Sequence, residues 1–181
     1  MRILVTGGLG HIGSHLIRML SDKCEITVVD NLLTQRYCSL FNLNKNIKFI
    51  ESDIEDISDL SGIDVVIHLA AITSVEQSIN NVGEMESINI DKTKKFIDTC
   101  KKSNISKFIF PSSSSVYGVD VDIVNESDVF VNPQSPYADA KYEIEKYIIN
   151  QKFLIGKLPP FAAQPPPDPP FNGWPSVSKR P

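Results

Sequence analysis

Tyr137 and Lys141 stand four positions apart in Pro136-Tyr137-Ala138-Asp139-Ala140-Lys141, so on a helix their side chains leave the same face. A free phenol, with a pKa of about 10, is a poor base at neutral pH, and an ammonium group beside it favours the phenolate and moves it towards the working range. Upstream, Ser112, Ser113, Ser114 and Ser115 follow the apolar run Lys107-Phe108-Ile109-Phe110. A hydroxyl at the carboxyl end of a buried strand projects into a cleft, where it can bond an oxygen whose charge changes during reaction. Either pattern alone is bland: a tyrosine four before a lysine is usually a core residue beside a surface one, and a serine run is usually a linker. Their weight comes from what precedes them.

Thr6-Gly7-Gly8-Leu9-Gly10-His11-Ile12-Gly13 directly follows a strand-like run and opens a helix-like one. In that context Gly7 permits a tight turn, Gly10 lets the backbone approach a pyrophosphate, and Gly13 packs the helix closely on the strand, with the positive helix end facing the phosphates. The next apolar run ends in Val28-Val29-Asp30-Asn31, which places an acid 17 residues beyond Gly13. There a carboxylate accepts hydrogen bonds from adenosine ribose hydroxyls and repels a 2'-phosphate, so NAD is expected rather than NADP. Asp53-Ile54, after the third run, could hold the adenine edge. His68-Leu69-Ala70-Ala71 ends the fourth, where small side chains would let a cofactor lie against backbone. His68 itself is read as structural. His11 and His15 have the spacing of a metal pair without a third ligand, so no metal site is expected.

The elements that must position these groups follow from the alternation of β-branched runs with stretches of helical period, which predicts successive βα units and a parallel, doubly wound α/β sheet of the Rossmann type. Expected strands are Ile3 to Thr6, Ile26 to Val29, Ile47 to Glu51, Val65 to His68 and Phe108 to Phe110. Expected helices are Ile12 to Ser21, with Ile12, Leu16, Met19 and Leu20 forming its buried stripe, then about Glu86 to Ser103, then Pro136 to Asn150. At 181 residues with 41% apolar and 22% charged side chains, one core is expected. A formal charge of -4 gives no field for nucleic acid or anionic membranes. No stretch approaches spanning length, which suggests a soluble cytoplasmic protein. Three cysteines without CxxC spacing are read as reduced, partly buried thiols. No proline precedes Pro111, whereas nine of twelve fall from Pro159 onward. The expected division is therefore a dinucleotide-binding domain over 1–152 and a proline-rich tail over 153–181, disordered or non-native.

Taken together, TGGLGHIG, VVDNL, SDI, HLAA, INIDKT, PSSSSVYG and YADAK, in that order over residues 1–152, resemble the extended short-chain dehydrogenase/reductase family. The likeness is to its NAD-dependent nucleotide-sugar epimerase/dehydratase branch, of UDP-glucose/UDP-galactose 4-epimerase type. The resemblance implies that Tyr137 is the catalytic base, that Lys141 binds the nicotinamide ribose and lowers the tyrosine pKa, and that Ser113 is the catalytic hydroxyl. It implies NAD contacts from Gly7, Gly10 and Gly13 with His11 and Ile12 in the same turn, from Asp30 and Asn31, from Asp53 and Ile54, from Leu69, Ala70 and Ala71, and from Asn89. Dehydratases of the family carry an Asp-Glu pair after the catalytic hydroxyl, where this chain has Ser114 and Ser115. Epimerisation of a nucleotide-sugar through a keto-sugar is thus the expected activity. The 4-epimerases have a lysine shortly after the HxA segment, where this chain reads Ala71-Ile72-Thr73, which leaves the sugar open. A non-catalytic dinucleotide-binding regulatory or interaction module, and a nucleotide-sugar dehydratase or NADP-linked reductase of the same family, are the competing readings. The residues after Phe153 do not resemble the family's substrate lobe. An uncovered sheet edge and face predict marginal stability or association, a homodimer included, and weak turnover.

Overall fold

A computed structural model describes residues 1–118, 124 and 131–151, with backbone alone for 75–77. The tail expected over 153–181 lies outside the described residues. Five parallel strands, β1 (Arg2–Thr6), β2 (Glu25–Asp30), β3 (Ile47–Glu51), β4 (Val65–His68) and β5 (Lys107–Ile109), form one sheet in the order β3-β2-β1-β4-β5. The order reverses at β1, so the crevice above β1 and β4 is the switch point at which such sheets accept ligands. Register is in line across the centre: Leu4 pairs with Thr27 on one side and Val66 on the other.

The strands are apolar on both faces because both carry packed helices, which corrects the expectation of an uncovered face. Leu4, Val29, Val66 and Phe108 point to one face, where they pack with Phe96, Ile97, Ile144 and Ile148. These last four come from α4 (Thr93–Lys102) and α5 (Pro136–Asn150). Ile3, Val5, Ile26, Val28, Val65 and Ile67 point to the other face, covered by Leu9 and Ile17 with Leu16 and Leu20, mostly from α1 (His11–Leu20). No helix among the described residues is long and apolar enough to cross a membrane.

The stripe expected on α1 is corrected. Ile12 and Met19 are 64% and 76% exposed, while Gly13 and Ile17 are buried. The glycine turn sets this rotation: a Cβ on Gly13 would lie 2.6 Å from the Gly7 carbonyl oxygen, so the helix can approach only with Gly13 inward, and Ile12 is carried outward. The helix expected from about Glu86 begins earlier. A short α2 (Val75–Asn80) precedes α3 (Val82–Glu86), which runs through a single π-helical turn, Ser87–Lys92, into α4. Helix α5 starts as its sequence dictates: Ser135 Oγ accepts the Ala138 amide at 3.2 Å, and Pro136 occupies the first turn.

Candidate active site

The glycine turn is built by backbone closure. Gly7 has φ of +66°, and a Cβ there would meet the Ala70 backbone at 2.6 Å, so only glycine fits. Its amide donates to Val29 O at 2.8 Å, and the Gly10 amide donates to Gly7 O at 3.1 Å. Gly10 caps α1 without a side-chain hydrogen bond, and no acid lies in the first turn. The first amides of the helix therefore face outward with their partial positive charge unanswered by a side chain. His11 and Ile12 are exposed at this end.

Asp30 stands against the turn. Its Oδ2 accepts the Leu9 amide and its Oδ1 the Leu32 amide, each at 3.0 Å. Leu32 is held at φ of +57°, a left-handed conformation that a leucine adopts only where its surroundings impose it. A cavity runs from Gly7 and Gly10 past Asp30 and Asn31 to Asp53 and Ile54, with Leu69, Ala70 and Ala71 on its other side. Leu33, Thr34, Ser52, Ile72 and Ile88 also line it; none of these was singled out from the sequence, because single apolar or small residues, in loops or on a helix as Ile88 is, carry no signal there.

His68 is structural, as expected, and the reason is a closed chain of hydrogen bonds. Thr93 Oγ1 donates to Ile88 O at 3.1 Å and so accepts from His68 Nε2 at 3.2 Å. His68 Nδ1 lies 2.7 Å from Thr6 Oγ1, and that oxygen takes the Ala70 amide at 3.4 Å. A neutral ring satisfies the whole chain, with Nδ1 accepting from the Thr6 hydroxyl. Burial, followed by the nearby Lys141 charge, drives the His68 pKa down to about 3.

Asn89, 5% exposed, uses both ends of its carboxamide on one neighbour: Nδ2 donates to Ile72 O, and Oδ1 accepts the Ile72 amide, each at 2.8 Å. It holds the loop after β4 against the cavity. Among the described residues no group of three or more metal-ligating side chains occurs. Of the cysteines, Cys24 and Cys100 are buried and Cys38 is exposed.

The candidate reactive groups Ser113, Tyr137 and Lys141 gather beyond the carboxyl end of β5. Ser113 is near enough to the Tyr137 phenol to favour its ionised form, and Ser113 Oγ lies 2.8 Å from Ser115 Oγ. Lys141 is 7% exposed. Its Nζ donates to Pro111 O at 3.0 Å and lies 4.4 Å from the Phe110 ring centroid and 5.8 Å from that of Tyr137. Burial pulls Lys141 down to about 8, against the opposing charge of Glu145. Burial raises the phenol pKa above its ordinary value, with the Ser113 hydrogen bond opposing. The direction is opposite to that expected from a lysine one turn away, because the ammonium sits over the rings and on a carbonyl rather than on the phenol oxygen.

A family model described as the NAD dependent epimerase/dehydratase family matches residues 3–153. The chain belongs to the NAD-dependent epimerase/dehydratase family. It is 35% identical over 162 residues to a putative UDP-glucose 4-epimerase of Methanocaldococcus jannaschii, which covers 85% of this chain and 52% of that protein. It is 33% identical to the human dTDP-D-glucose 4,6-dehydratase, over 81% of this chain and 45% of that one. Among solved structures it is similar to the UDP-N-acetylglucosamine 4-epimerase of Methanobrevibacter ruminantium, at 39% identity and a TM-score of 0.76 over 82% of this chain and 49% of that chain. It is likewise similar to the UDP-glucuronic acid 4-epimerase of Bacillus cereus in complex with UDP-glucuronic acid and NAD, at 35% identity and a TM-score of 0.78, over 86% and 55%. The chain thus spans about half the length of the relatives it matches, and that half is the parallel-sheet unit with its glycine turn.

Proposed function

We propose that this chain forms the NAD-binding half of a nucleotide-sugar 4-epimerase, with Tyr137 as general base, Ser113 as its hydroxyl partner and Lys141 as the cation beside them. The observation that carries the reading is the convergence of Ser113, Tyr137 and the buried Lys141 amine beyond the end of β5. The residues present fit NAD. A Cβ at Gly10 would meet only the Gly7 carbonyl oxygen, at 3.2 Å, so the turn is open where the pyrophosphate would approach the uncapped helix end. Asp30 stands where ribose hydroxyls, but not a 2'-phosphate, would be welcome. Asp53 and Ile54 would take the adenine edge, Asn31 the adenosine ribose side, and Leu69, Ala70 and Ala71 the face of the cofactor, with Asn89 holding that loop in place.

When bound, NAD supplies the hydride acceptor and donor. Tyr137 takes the proton from a sugar hydroxyl, and Ser113 steadies the oxygen as its charge changes. Lys141 would hold the nicotinamide ribose. Epimerisation is favoured over dehydration because Ser114 and Ser115 offer no carboxyl group, and Ser115 is hydrogen-bonded to Ser113. Calorimetric titration tests the reading. NAD is expected to bind more tightly than NADP, and Asp30→Ala is expected to lose about tenfold in NAD affinity while narrowing the preference. Tyr137→Phe is expected to keep NAD affinity and to abolish any 4-epimerisation of UDP-sugars. Absence of dinucleotide binding by the unmodified chain overturns the proposal.

A further inference from the structure

The π-helical turn Ser87–Lys92 touches both loops that border the far end of the cavity. Ile88 lines the cavity directly, and Asn89 clamps Ile72 after β4. Lys92 reaches the loop after β3: its Nζ lies 3.0 Å from Asp53 Oδ2 and 2.6 Å from Glu55 Oε1. Lys95, from the next turn, lies 3.8 Å from Glu55 Oε2. Asp53 Oδ2 also accepts from Asn31 Nδ2 at 3.3 Å, and its Oδ1 accepts the Glu55 amide at 3.3 Å.

Within this network Asp53 and Glu55 are two carboxylates in one short loop, and Lys92 is the cation placed between them. Without it their mutual repulsion would turn the Asp53 carboxylate away from its present orientation. With it, three of the carboxylate's roughly four acceptor sites are fixed, and Asp53 lines the cavity together with Ile54. Burial opposes ionisation of Asp53, and the Lys92, Glu55 and Asn31 bonds outweigh it, leaving its pKa below the ordinary value. The side chains of Lys92 and Asp53 are 21% and 24% exposed, so the pair adds little to global stability. Its contribution is orientation.

We propose that Lys92 is the positioning residue for the base end of the dinucleotide site, fixing Asp53 so that it accepts a hydrogen bond from an exocyclic amine and selects adenine over a 6-oxo purine. This rests on the dinucleotide reading above. The π turn is the device that allows it, because one widened turn lets a single element brace two loops of the same cavity.

The test compares NAD with nicotinamide hypoxanthine dinucleotide, in which a carbonyl replaces the 6-amine, by calorimetry on the full chain and on Lys92→Met and Lys92→Arg. The unmodified protein is expected to prefer NAD by about tenfold. Lys92→Met is expected to lose about fivefold in NAD affinity with the hypoxanthine analogue unchanged within twofold, and Lys92→Arg to restore the preference. A merely structural lysine would move both ligands in parallel, and that outcome, or an unchanged ratio, overturns the inference. If the unmodified protein binds neither dinucleotide, both this inference and the proposed function fall; if it binds both equally, only the role given to Asp53 and Lys92 falls.

Discussion

At the scale of single residues, the same low-dielectric pocket acts oppositely on two neighbours. Burial discourages the Lys141 ammonium, held at about 8, and it discourages the Tyr137 phenolate, whose pKa is raised. The phenol is thus a poor base in the dinucleotide-free protein and depends on Ser113 for what relief it has. The tyrosine component of the ultraviolet titration, taken as the difference between the unmodified chain and Tyr137→Phe, is expected to rise only at a pH above that of a free phenol. Ser113→Ala is expected to move it higher still, since it removes the bond that favours phenolate. A component below the ordinary range in the dinucleotide-free protein would contradict the placement of the Lys141 amine on Pro111 O.

At the scale of elements, the glycine turn and α1 behave as one rigid piece. Gly13→Ala places a methyl group 2.6 Å from the Gly7 carbonyl oxygen, which must lift α1 from β1. A loss of about 1–3 kcal/mol in urea unfolding is expected, with weakened NAD binding. Gly83→Ala in α3, where nothing lies within 4 Å of the new methyl, is expected to be neutral or to gain about 0.5–1 kcal/mol. The strands were legible because buried parallel strands write themselves as short β-branched runs, and β3, β4 and α5 have the bounds expected. The face of α1 was not legible from apolar spacing, because a glycine rather than an apolar residue decides which side can touch the sheet. The π turn left no trace in the pattern, since Ser87–Lys92 continues a helical run. Likewise, Asp53, Ile54 and Asn89 could be named from motifs, but Lys92 could not. Its partner lies 39 positions away, and a lysine on a helix otherwise reads as a solvated charge.

At the scale of the whole molecule, the α4 and α5 face of the sheet meets the end of β4 through one side chain. His68 ends β4, is bonded to Thr6 of β1 and Thr93 of α4, and lies 5.5, 6.0 and 6.1 Å from the ring centroids of Phe96, Phe108 and Phe110. At 1% exposure its ring has little water to solvate a proton, so the fold favours the neutral form. Its pKa is about 3 against an ordinary 6.5. Above pH 6.5 the ring is neutral in both folded and unfolded chains, and stability owes nothing to its titration. Below 6.5 the unfolded chain binds a proton that the fold refuses, so stability falls with falling pH until about pH 3, at about 1.4 kcal/mol per pH unit. Unfolding by urea at pH 7, 6 and 5 is expected to show this loss. His68→Gln, which cannot titrate, is expected to be less stable at pH 7 yet to show a flatter slope between pH 6.5 and 5. The slope, not the absolute stability, is the quantity that distinguishes a buried neutral histidine from a merely well-packed one. An unchanged slope would mean that other groups dominate the acid sensitivity of the fold and that the Thr6–His68–Thr93 chain tolerates a proton.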